Sequence, residues 1–323
     1  MSKPEIVAIA PLPAFFAKPL HENFTVHDLH GAADAEARRA LIAKIAPTTR
    51  GMVAFGGSQL APDQLAKFPH LEIISVFGVG YDGMPLAACA AAKVKVTNTP
   101  DVLNDEVADT AVALTLMTCR QFVGAHKFVE AGDWLKGQYP LTHSLWGKTV
   151  GIIGLGRIGK GIAERLAAHK MSVAYFGRNK QDVPYTYYGN LVEMAGDVDV
   201  LIAITPGGAA TKHLVNAAVL EALGPTGFFI NVARGSVVDQ DALVKAIEAG
   251  TIAGAGLDVF EAEPKVPEAL FNRRNVVLLP HVASATHETR QAMADLAVEN
   301  LALHFAGKPV KTLVPELAGK VSP

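Results

Sequence analysis

Three apolar runs in the second half of the chain are each followed by an ionisable side chain, namely Arg234, Glu263 and His281. Such runs predict buried strands of a parallel sheet, and residues at the carboxyl ends of those strands face the ligand crevice. Taken singly, each residue has another interpretation: a surface charge where a helix starts, a loop acid, and a hydrogen-bonded core histidine. Their placement after three successive strands favours one shared site.

These three side-chain types could bind and protonate an organic acid that carries a carbonyl group. A guanidinium grips a carboxylate through paired N–H donors and polarises the neighbouring carbonyl. A protonated histidine can give its proton to the carbonyl oxygen. A carboxylate beside that histidine favours the imidazolium and fixes its orientation. The set suits reduction of a 2-oxo acid, which also requires a hydride donor.

A glycine-rich turn is predicted to bind the dinucleotide that could donate this hydride. The apolar run at 149–153 leads into Gly154-Leu-Gly156-Arg-Ile-Gly159, and residues at helical spacing follow. The first glycine permits a tight turn, the second lets a pyrophosphate approach the backbone, and the third lets the helix pack on the strand. The spacing alone is weak evidence, but the strand before it and the helix after it predict a Rossmann unit.

The exit of the next predicted strand, 172–176, indicates which dinucleotide binds. An NAD-binding unit usually places an acidic residue there to hold the ribose 2′-hydroxyl. This chain has Gly177, Arg178, Asn179 and Lys180 instead, so no carboxylate would repel a 2′-phosphate and two cations could bind it. A solvated turn is the other interpretation. We expect NADP(H) to be preferred over NAD(H).

Strands and helices alternate along the first hundred residues, which implies a parallel sheet covered by helices. The predicted strands there are 6–10, 24–28, 51–55, 71–76 and 94–97. The predicted helices are 32–46, 62–67 and 85–93, with a loop after the first strand.

A long apolar helix, 104–120, continuing to residue 130, precedes a second alternating series. This series has six predicted strands, near 150–153, 172–176, 199–204, 227–231, 253–257 and 276–279. A last helix, 286–306, is expected to return the chain to the first domain. The fold class is therefore α/β with two doubly wound parallel-sheet domains: residues 1–98 and 287–323 form a substrate-binding domain, and 99–286 form the inserted NAD(P)-binding domain.

The composition limits the classes of protein that fit. The chain has 323 residues and a net charge of −2, which argues against a nucleic-acid or anionic-membrane binder. Its two cysteines, Cys89 and Cys119, lie in apolar stretches and predict buried thiols rather than a disulfide framework or a metal site. No apolar run approaches the roughly 18 residues that cross a bilayer. A cytoplasmic protein is expected.

Over nearly its full length the chain resembles the D-isomer-specific 2-hydroxyacid dehydrogenase family. The resemblance is carried by four motifs in the family's order, at 154–159, 231–239, 256–264 and 279–286. It implies a Rossmann cofactor domain inserted in a flavodoxin-like substrate domain. It also implies a homodimer, in which the segment 132–146, with Trp134 and Trp146, is interface core or a substrate lid.

The same resemblance implies roles for individual residues. Arg234, Glu263 and His281 match the family's catalytic residues, and Asp258 is expected near the nicotinamide amide. The predicted substrate-binding residues are Val79, Gly80, Arg234 and His281, the first two through their amides in a carboxylate-binding loop. The predicted cofactor-binding residues are Gly154, Gly156, Arg157, Ile158, Gly159, Gly177, Arg178, Asn179, Thr205, Pro206, Thr211, Val232, Ala233, Asp258 and Thr110.

Within the family, the segments 96–103, 107–110, 177–179 and 185–189 resemble NADPH-dependent glyoxylate/hydroxypyruvate and hydroxyphenylpyruvate reductases. The resemblance implies a reductase that converts glyoxylate and hydroxypyruvate to D-2-hydroxy acids. An aromatic 2-oxo acid reductase is the nearest alternative, and an NAD-linked 3-phosphoglycerate oxidase is disfavoured by Arg178. A non-catalytic, dinucleotide-sensing corepressor is a further alternative, because such proteins can retain the Arg–Glu–His set.

Overall fold

The computed structural model describes residues 3–322 and divides into two compact units. One unit, here the terminal unit, comprises Met1–Leu103 and Thr286–Pro323. The other, the central unit, comprises Asn104–Ala285. The chain thus leaves the terminal unit before residue 104 and returns at 286, whereas the sequence placed these crossings after residues 98 and 286.

The terminal unit contains a parallel sheet with strand order β2-β1-β3-β4-β5. Its strands are β1 (Glu5–Ala8), β2 (Thr25–Asp28), β3 (Thr49–Phe55), β4 (Ile73–Phe77) and β5 (Lys95–Thr97). Its first helices are α1 (Ala14–Asn23), α2 (Ala35–Ile45), α3 (Pro62–Leu65) and α4 (Leu86–Ala91). Strand β4 is buried along its whole length, as a parallel sheet with both faces covered requires. The order 2-1-3-4-5 is that of flavodoxin-like folds.

Helix α1 was missed by the sequence analysis, which predicted a loop there. Pro13 caps the helix and Pro19 lies inside it, and prolines normally argue against helix. Phe16 and Leu20, four residues apart on one face, are fully buried. Their burial against the sheet outweighs the hydrogen bond that Pro19 cannot make.

The central unit contains a larger parallel sheet with strand order β12-β11-β10-β9-β6-β7-β8. Its strands are β6 (Thr149–Ile153), β7 (Ser172–Phe176), β8 (Thr186–Tyr188), β9 (Val200–Ala203), β10 (Phe228–Asn231), β11 (Gly254–Leu257) and β12 (Val276–Leu278). Its helices are α5 (Asn104–Cys119), α6 (Phe122–Glu130), α7 (Arg157–Ala168), α8 (Leu191–Asp197), α9 (Ala217–Leu223) and α10 (Gln240–Ala249). Counted within this unit the order is 3-2-1-4-5-6 followed by a seventh strand, the doubly wound Rossmann arrangement. The chain reverses direction across the sheet between β6 and β9, where such folds bind ligands.

The prediction of six strands in this unit was wrong, because β8 makes a seventh within the described residues. This edge strand has three residues, and it pairs only with β7, through Tyr175 opposite Tyr187. The two tyrosine rings lie 5.3 Å apart between centroids. A run of three residues is too short to show an apolar periodicity, so the sequence did not reveal this strand. The cross-strand pair of tyrosines stabilises it instead.

The last helix, α11 (His287–Phe305), belongs to the terminal unit and lies close to its predicted bounds. Ser75 of β4 donates a hydrogen bond of 3.0 Å to the carbonyl of Ala297 in this helix. At 19 residues α11 is the longest described helix, and no helix of residues 3–322 combines the length and apolar character of a membrane span.

Both cysteines are buried and free, as the sequence predicted. Burial raises the pKa of Cys89 to about 11 and that of Cys119 to about 12. Thiols with such high pKa values are protonated at neutral pH and react slowly. The two cysteines therefore contribute to packing of the core and not to a reactive site.

Candidate active site

The three predicted catalytic side chains follow three neighbouring strands of the central sheet. Arg234 follows β10, Glu263 follows β11 and His281 follows β12. The strands are parallel and in register, with Asn231 opposite Leu257. The fold therefore delivers the three side chains to the same edge of the sheet.

Glu263 and His281 form a direct pair. Nδ1 of His281 lies 2.8 Å from Oε2 of Glu263, and the amide of Phe260 donates to Oε1 at 3.0 Å. Burial raises the pKa of Glu263, but the hydrogen bonds from His281 and Phe260, with the positive charge of Arg234, outweigh it and hold that pKa below its usual value. The ionised carboxylate pairs with Nδ1 and so fixes the orientation of the ring. The His281 side chain is 45% exposed, so the pair is open to solvent.

Asp258 holds the backbone that carries His281. Its carboxylate accepts hydrogen bonds from the amides of Val282 at 2.7 Å and Ala283 at 3.0 Å, and its carbonyl accepts one from the His281 amide at 2.8 Å. His281 itself has a φ of +54°, in the left-handed region that side chains rarely occupy. Asp258 is 1% exposed, and burial raises its pKa. Its predicted contact with a nicotinamide amide stays a prediction, beside this anchoring role.

We expect Asp258→Asn to lower the free energy of unfolding by about 1–3 kcal/mol, because one backbone amide would then face an NH₂ group and stay unsatisfied. The loop carrying His281 would shift, so kcat should fall as well. Denaturant unfolding and steady-state kinetics check this. Asp239→Asn is the matched control, since Asp239 caps α10 and asparagine caps equally well. A variant with unchanged stability and unchanged kcat would contradict the anchoring role.

Arg234 is positioned by a buried asparagine that the sequence analysis did not single out. The side chain of Asn231, the last residue of β10, accepts from the Ala233 amide at 3.0 Å and donates to the Arg234 carbonyl at 3.1 Å. The next residue, Gly235, touches the backbone of Phe260 so closely that a Cβ would collide with it. The turn that carries Arg234 is thus pressed against the loop that carries Glu263. The sequence feature that could have revealed this role is the amide side chain of Asn231 at the end of an otherwise apolar strand.

The glycine turn after β6 has the geometry predicted for a dinucleotide loop. Gly154 has a φ of +101° and packs against the Thr205 backbone, and a Cβ at Gly159 would collide with the Gly154 carbonyl oxygen. A Cβ at Gly156, by contrast, would meet nothing within 4 Å, so this position is open toward the start of α7. Arg157 and Ile158 form the first turn of that helix, where backbone amides favour an anion. The open backbone and the helix start fit a pyrophosphate.

The exit of β7 is equally open. Gly177 has no positive φ, and a Cβ added to it would meet nothing within 4 Å. Glycine is therefore not required there by the backbone or by packing. Arg178, Asn179 and Lys180 follow it and are exposed. The position that usually carries a carboxylate thus has room for a Cβ, and two exposed cationic residues follow it in the chain.

The remaining predicted cofactor residues also lie in the central unit. Thr205, Pro206 and Thr211 belong to the loop after β9, which Thr211 closes by donating a 2.6 Å hydrogen bond to the Pro206 carbonyl. Val232 and Ala233 follow β10 directly. Thr110 lies in α5, where its hydroxyl donates to the Ala283 carbonyl at 3.3 Å. Contact of any of these with a dinucleotide stays a prediction.

Val79 and Gly80 lie in the terminal unit, in the loop after β4. The side chain of Asn98 donates to the Val79 carbonyl at 2.8 Å, and the amide of Gly78 donates to the Thr99 hydroxyl at 3.0 Å. The loop is thereby tied to the segment after β5. Its carboxylate-binding role stays a prediction.

A doubly wound dinucleotide-binding unit with an Arg–Glu–His set at its strand exits defines an oxidoreductase of the NAD(P)-linked class. The family model for "D-isomer specific 2-hydroxyacid dehydrogenase, NAD binding domain" matches residues 112–283. The chain belongs to the D-isomer specific 2-hydroxyacid dehydrogenase family, as its motifs indicated.

The similarity to individual members extends over nearly the whole chain. The chain is 44% identical over 310 residues to hydroxyphenylpyruvate reductase of Plectranthus scutellarioides. The aligned region covers 96% of this chain and 98% of the relative. The chain is 41% identical over 310 residues to glyoxylate/hydroxypyruvate reductase A of Arabidopsis thaliana, with the same two coverages. The crystal structure of NADPH-dependent glyoxylate/hydroxypyruvate reductase from Sinorhizobium meliloti in complex with NADP and malonate matches with a TM-score of 0.90 and 46% identity, covering 98% of each chain.

Proposed function

We propose that the protein is an NADPH-dependent reductase that converts small 2-oxo acids, with glyoxylate and hydroxypyruvate as the first candidates, to D-2-hydroxy acids. The observation that carries the proposal is the 2.8 Å pair between His281 and Glu263 at strand exits next to that of Arg234. The glyoxylate/hydroxypyruvate reductases among the relatives support this choice of substrates.

Each side chain of the site has one task in this reaction. The guanidinium of Arg234 binds the substrate carboxylate and polarises the adjacent carbonyl. Bound NADPH supplies the hydride that forms the new C–H bond at the carbonyl carbon. Nε2 of His281 gives its proton to the carbonyl oxygen, which becomes the hydroxyl, and the neutral ring then takes a proton from solvent. Glu263 keeps the ring oriented through its hydrogen bond with Nδ1.

The cofactor preference rests on the exit of β7. The space at Gly177 and the cations at Arg178 and Lys180 suit a 2′-phosphate, and asparagine at 179 adds a hydrogen-bonding group. Support also comes from the S. meliloti relative, which is NADPH-dependent and was solved with NADP. We therefore assign NADP(H) over NAD(H).

Val79 and Gly80 keep their proposed role as carboxylate-binding amides of the terminal unit. A larger aromatic substrate is the second candidate, because a relative at 44% identity is a hydroxyphenylpyruvate reductase. The corepressor alternative predicts dinucleotide binding without turnover.

A homodimer is also proposed, with the segment 132–146 at its contact. Large apolar side chains are strongly exposed in this segment: Trp134 is 67% exposed, Leu135 94%, Leu141 100% and Trp146 72%. Exposed apolar clusters of this kind mark association surfaces. The cytoplasmic location stays a prediction.

The test is a steady-state screen of NADPH and NADH against glyoxylate, hydroxypyruvate, pyruvate and hydroxyphenylpyruvate. We expect the highest kcat/KM with NADPH and one of the two small acids. A higher kcat/KM for hydroxyphenylpyruvate would select the aromatic candidate. Absence of turnover with every 2-oxo acid would contradict the reductase and leave the corepressor alternative, and equal kcat/KM with both cofactors would contradict the role of Arg178.

A further inference from the structure

The loop from Gly177 to Gln181, here the phosphate loop, is fixed at both of its ends by side chains with no task in the proposed reaction. At its start, the hydroxyl of Tyr187 in β8 donates a 3.2 Å hydrogen bond to the Gly177 carbonyl. At its end, the amide of Gln181 donates to the hydroxyl of Tyr175 at 2.6 Å. The exposed residues between the ends, among them Arg178, are presented from a segment whose ends are held in place.

A further hydrogen bond joins the phosphate loop to the glycine turn. The side chain of Gln181 donates to the carbonyl of Leu155 at 2.9 Å, and Leu155 stands between the first two glycines of the motif and is 3% exposed. The loop that would meet a 2′-phosphate and the turn that would meet the pyrophosphate are therefore held in a fixed spatial relation within the central unit.

The two tyrosines form one structural support. Tyr175 is fully buried, Tyr187 is half-buried, and their rings pack 5.3 Å apart across the β7–β8 pair. One hydroxyl reaches the start of the phosphate loop and the other its end. The short edge strand β8 thus places the Tyr187 hydroxyl within hydrogen-bonding distance of the Gly177 carbonyl.

We propose that Tyr187 is a specificity-determining positioning residue that holds the phosphate loop ready for a 2′-phosphate, with Gln181 coupling that loop to the glycine turn. The inference rests on the proposed preference for NADPH. A flexible cationic loop loses conformational entropy when it closes on a ligand, whereas a loop already held in its bound form avoids that loss. Because NADH has no 2′-phosphate, it gains nothing from the loop, so the support affects NADPH alone.

The test compares Tyr187→Phe with the wild-type protein by equilibrium titration with adenosine 2′,5′-bisphosphate, ADP, NADPH and NADH. Phenylalanine keeps the ring packing and removes only the hydroxyl. Loss of one neutral hydrogen bond corresponds to roughly a five-fold change in an equilibrium constant. We expect Kd to rise by about that factor for adenosine 2′,5′-bisphosphate and NADPH, and to stay unchanged for ADP and NADH.

Tyr188→Phe is the matched control. This neighbouring tyrosine lies in the same strand, but its hydroxyl donates to Asp197 at 2.9 Å, away from the phosphate loop. We expect all four affinities to stay at the wild-type values in this variant. A second variant, Gln181→Met, keeps the side-chain length but loses the bond to Leu155, and it should raise the Kd of NADPH while leaving that of NADH unchanged.

The outcomes separate this inference from the proposal on which it rests. Wild-type protein that binds NADPH and NADH with equal Kd would overturn the NADPH preference and the inference with it. If the wild type prefers the 2′-phosphate and Tyr187→Phe leaves that preference unchanged, only the inference is overturned. Equal weakening of all four ligands by Tyr187→Phe would likewise overturn it, since that result describes general loosening, which thermal unfolding of the variant would register.

Discussion

Replacing His281 with alanine will lower kcat for 2-oxo acid reduction by about 10²–10⁴-fold, the usual contribution of a positioned proton donor. Dinucleotide binding will survive, because the ring contributes to neither the glycine turn nor the phosphate loop. The measurement pairs stopped-flow or steady-state turnover with a fluorescence titration of NADPH. Loss of turnover with an unchanged Kd is the expected result.

His213→Ala is the matched control for this change. His213 is also a histidine of the central unit paired with a glutamate, with Nε2 2.9 Å from Oε1 of Glu261, and its side chain is 38% exposed. It is not at an exit of the three strands that carry the catalytic set. If both alanine variants lost activity equally, or if His281→Ala kept near-full activity, the proton-donor assignment would be wrong.

Replacing Gly177 with aspartate will reverse the cofactor preference. The new carboxylate would accept a hydrogen bond from the ribose 2′-hydroxyl of NADH, and it would repel the 2′-phosphate of NADPH. Like charges brought together in a binding site cost on the order of several kcal/mol, which corresponds to a loss of NADPH affinity of about 10²-fold. The ratio of kcat/KM for the two cofactors, together with their Kd values, checks this.

The structure indicates that the Gly177→Asp substitution introduces a charge without a steric clash at Cβ. A Cβ at 177 would meet nothing within 4 Å and Gly177 has no positive φ, so neither packing at Cβ nor backbone strain opposes the substitution. Gly177→Ala is the control, and it should keep the wild-type preference. An aspartate variant that still preferred NADPH would show that the 2′-position is bound elsewhere.

The placement of Arg234, Glu263 and His281 at one edge of the sheet could be predicted because it depends on the carboxyl ends of strands. Apolar runs before Arg234 and His281 identify the strands, and the parallel arrangement then brings their exits together whatever the loops do. The glycine turn was predictable for a similar reason, since close backbone contacts require Gly154 and Gly159, as the general glycine pattern of such turns implies. Short-range sequence patterns and a known sheet topology were sufficient to predict both the strand exits and the glycine turn.

The supports of the site could not be predicted in the same way. Asn231, Gln181 and Tyr187 act through hydrogen bonds from a side chain to a backbone carbonyl, and such bonds leave no periodicity in the sequence. The partner of Gln181 lies 26 residues away, at Leu155. Helix α1 was missed for a related reason, because the burial that stabilises it comes from the sheet and not from its proline-containing sequence.

The discontinuity of the terminal unit has a consequence for the order in which the chain acquires its structure during synthesis. Its sheet needs α11, which packs on β4 through the bond between Ser75 and Ala297, groups separated by 222 residues. The central unit is continuous from Asn104 to Ala285. A ribosome adding roughly 5–20 residues per second delivers this continuous unit whole while the first hundred residues still lack their closing helix. Until residues 287–305 have emerged, the face of the terminal sheet that α11 covers stays exposed, and transiently exposed apolar surface of this kind is prone to aggregation.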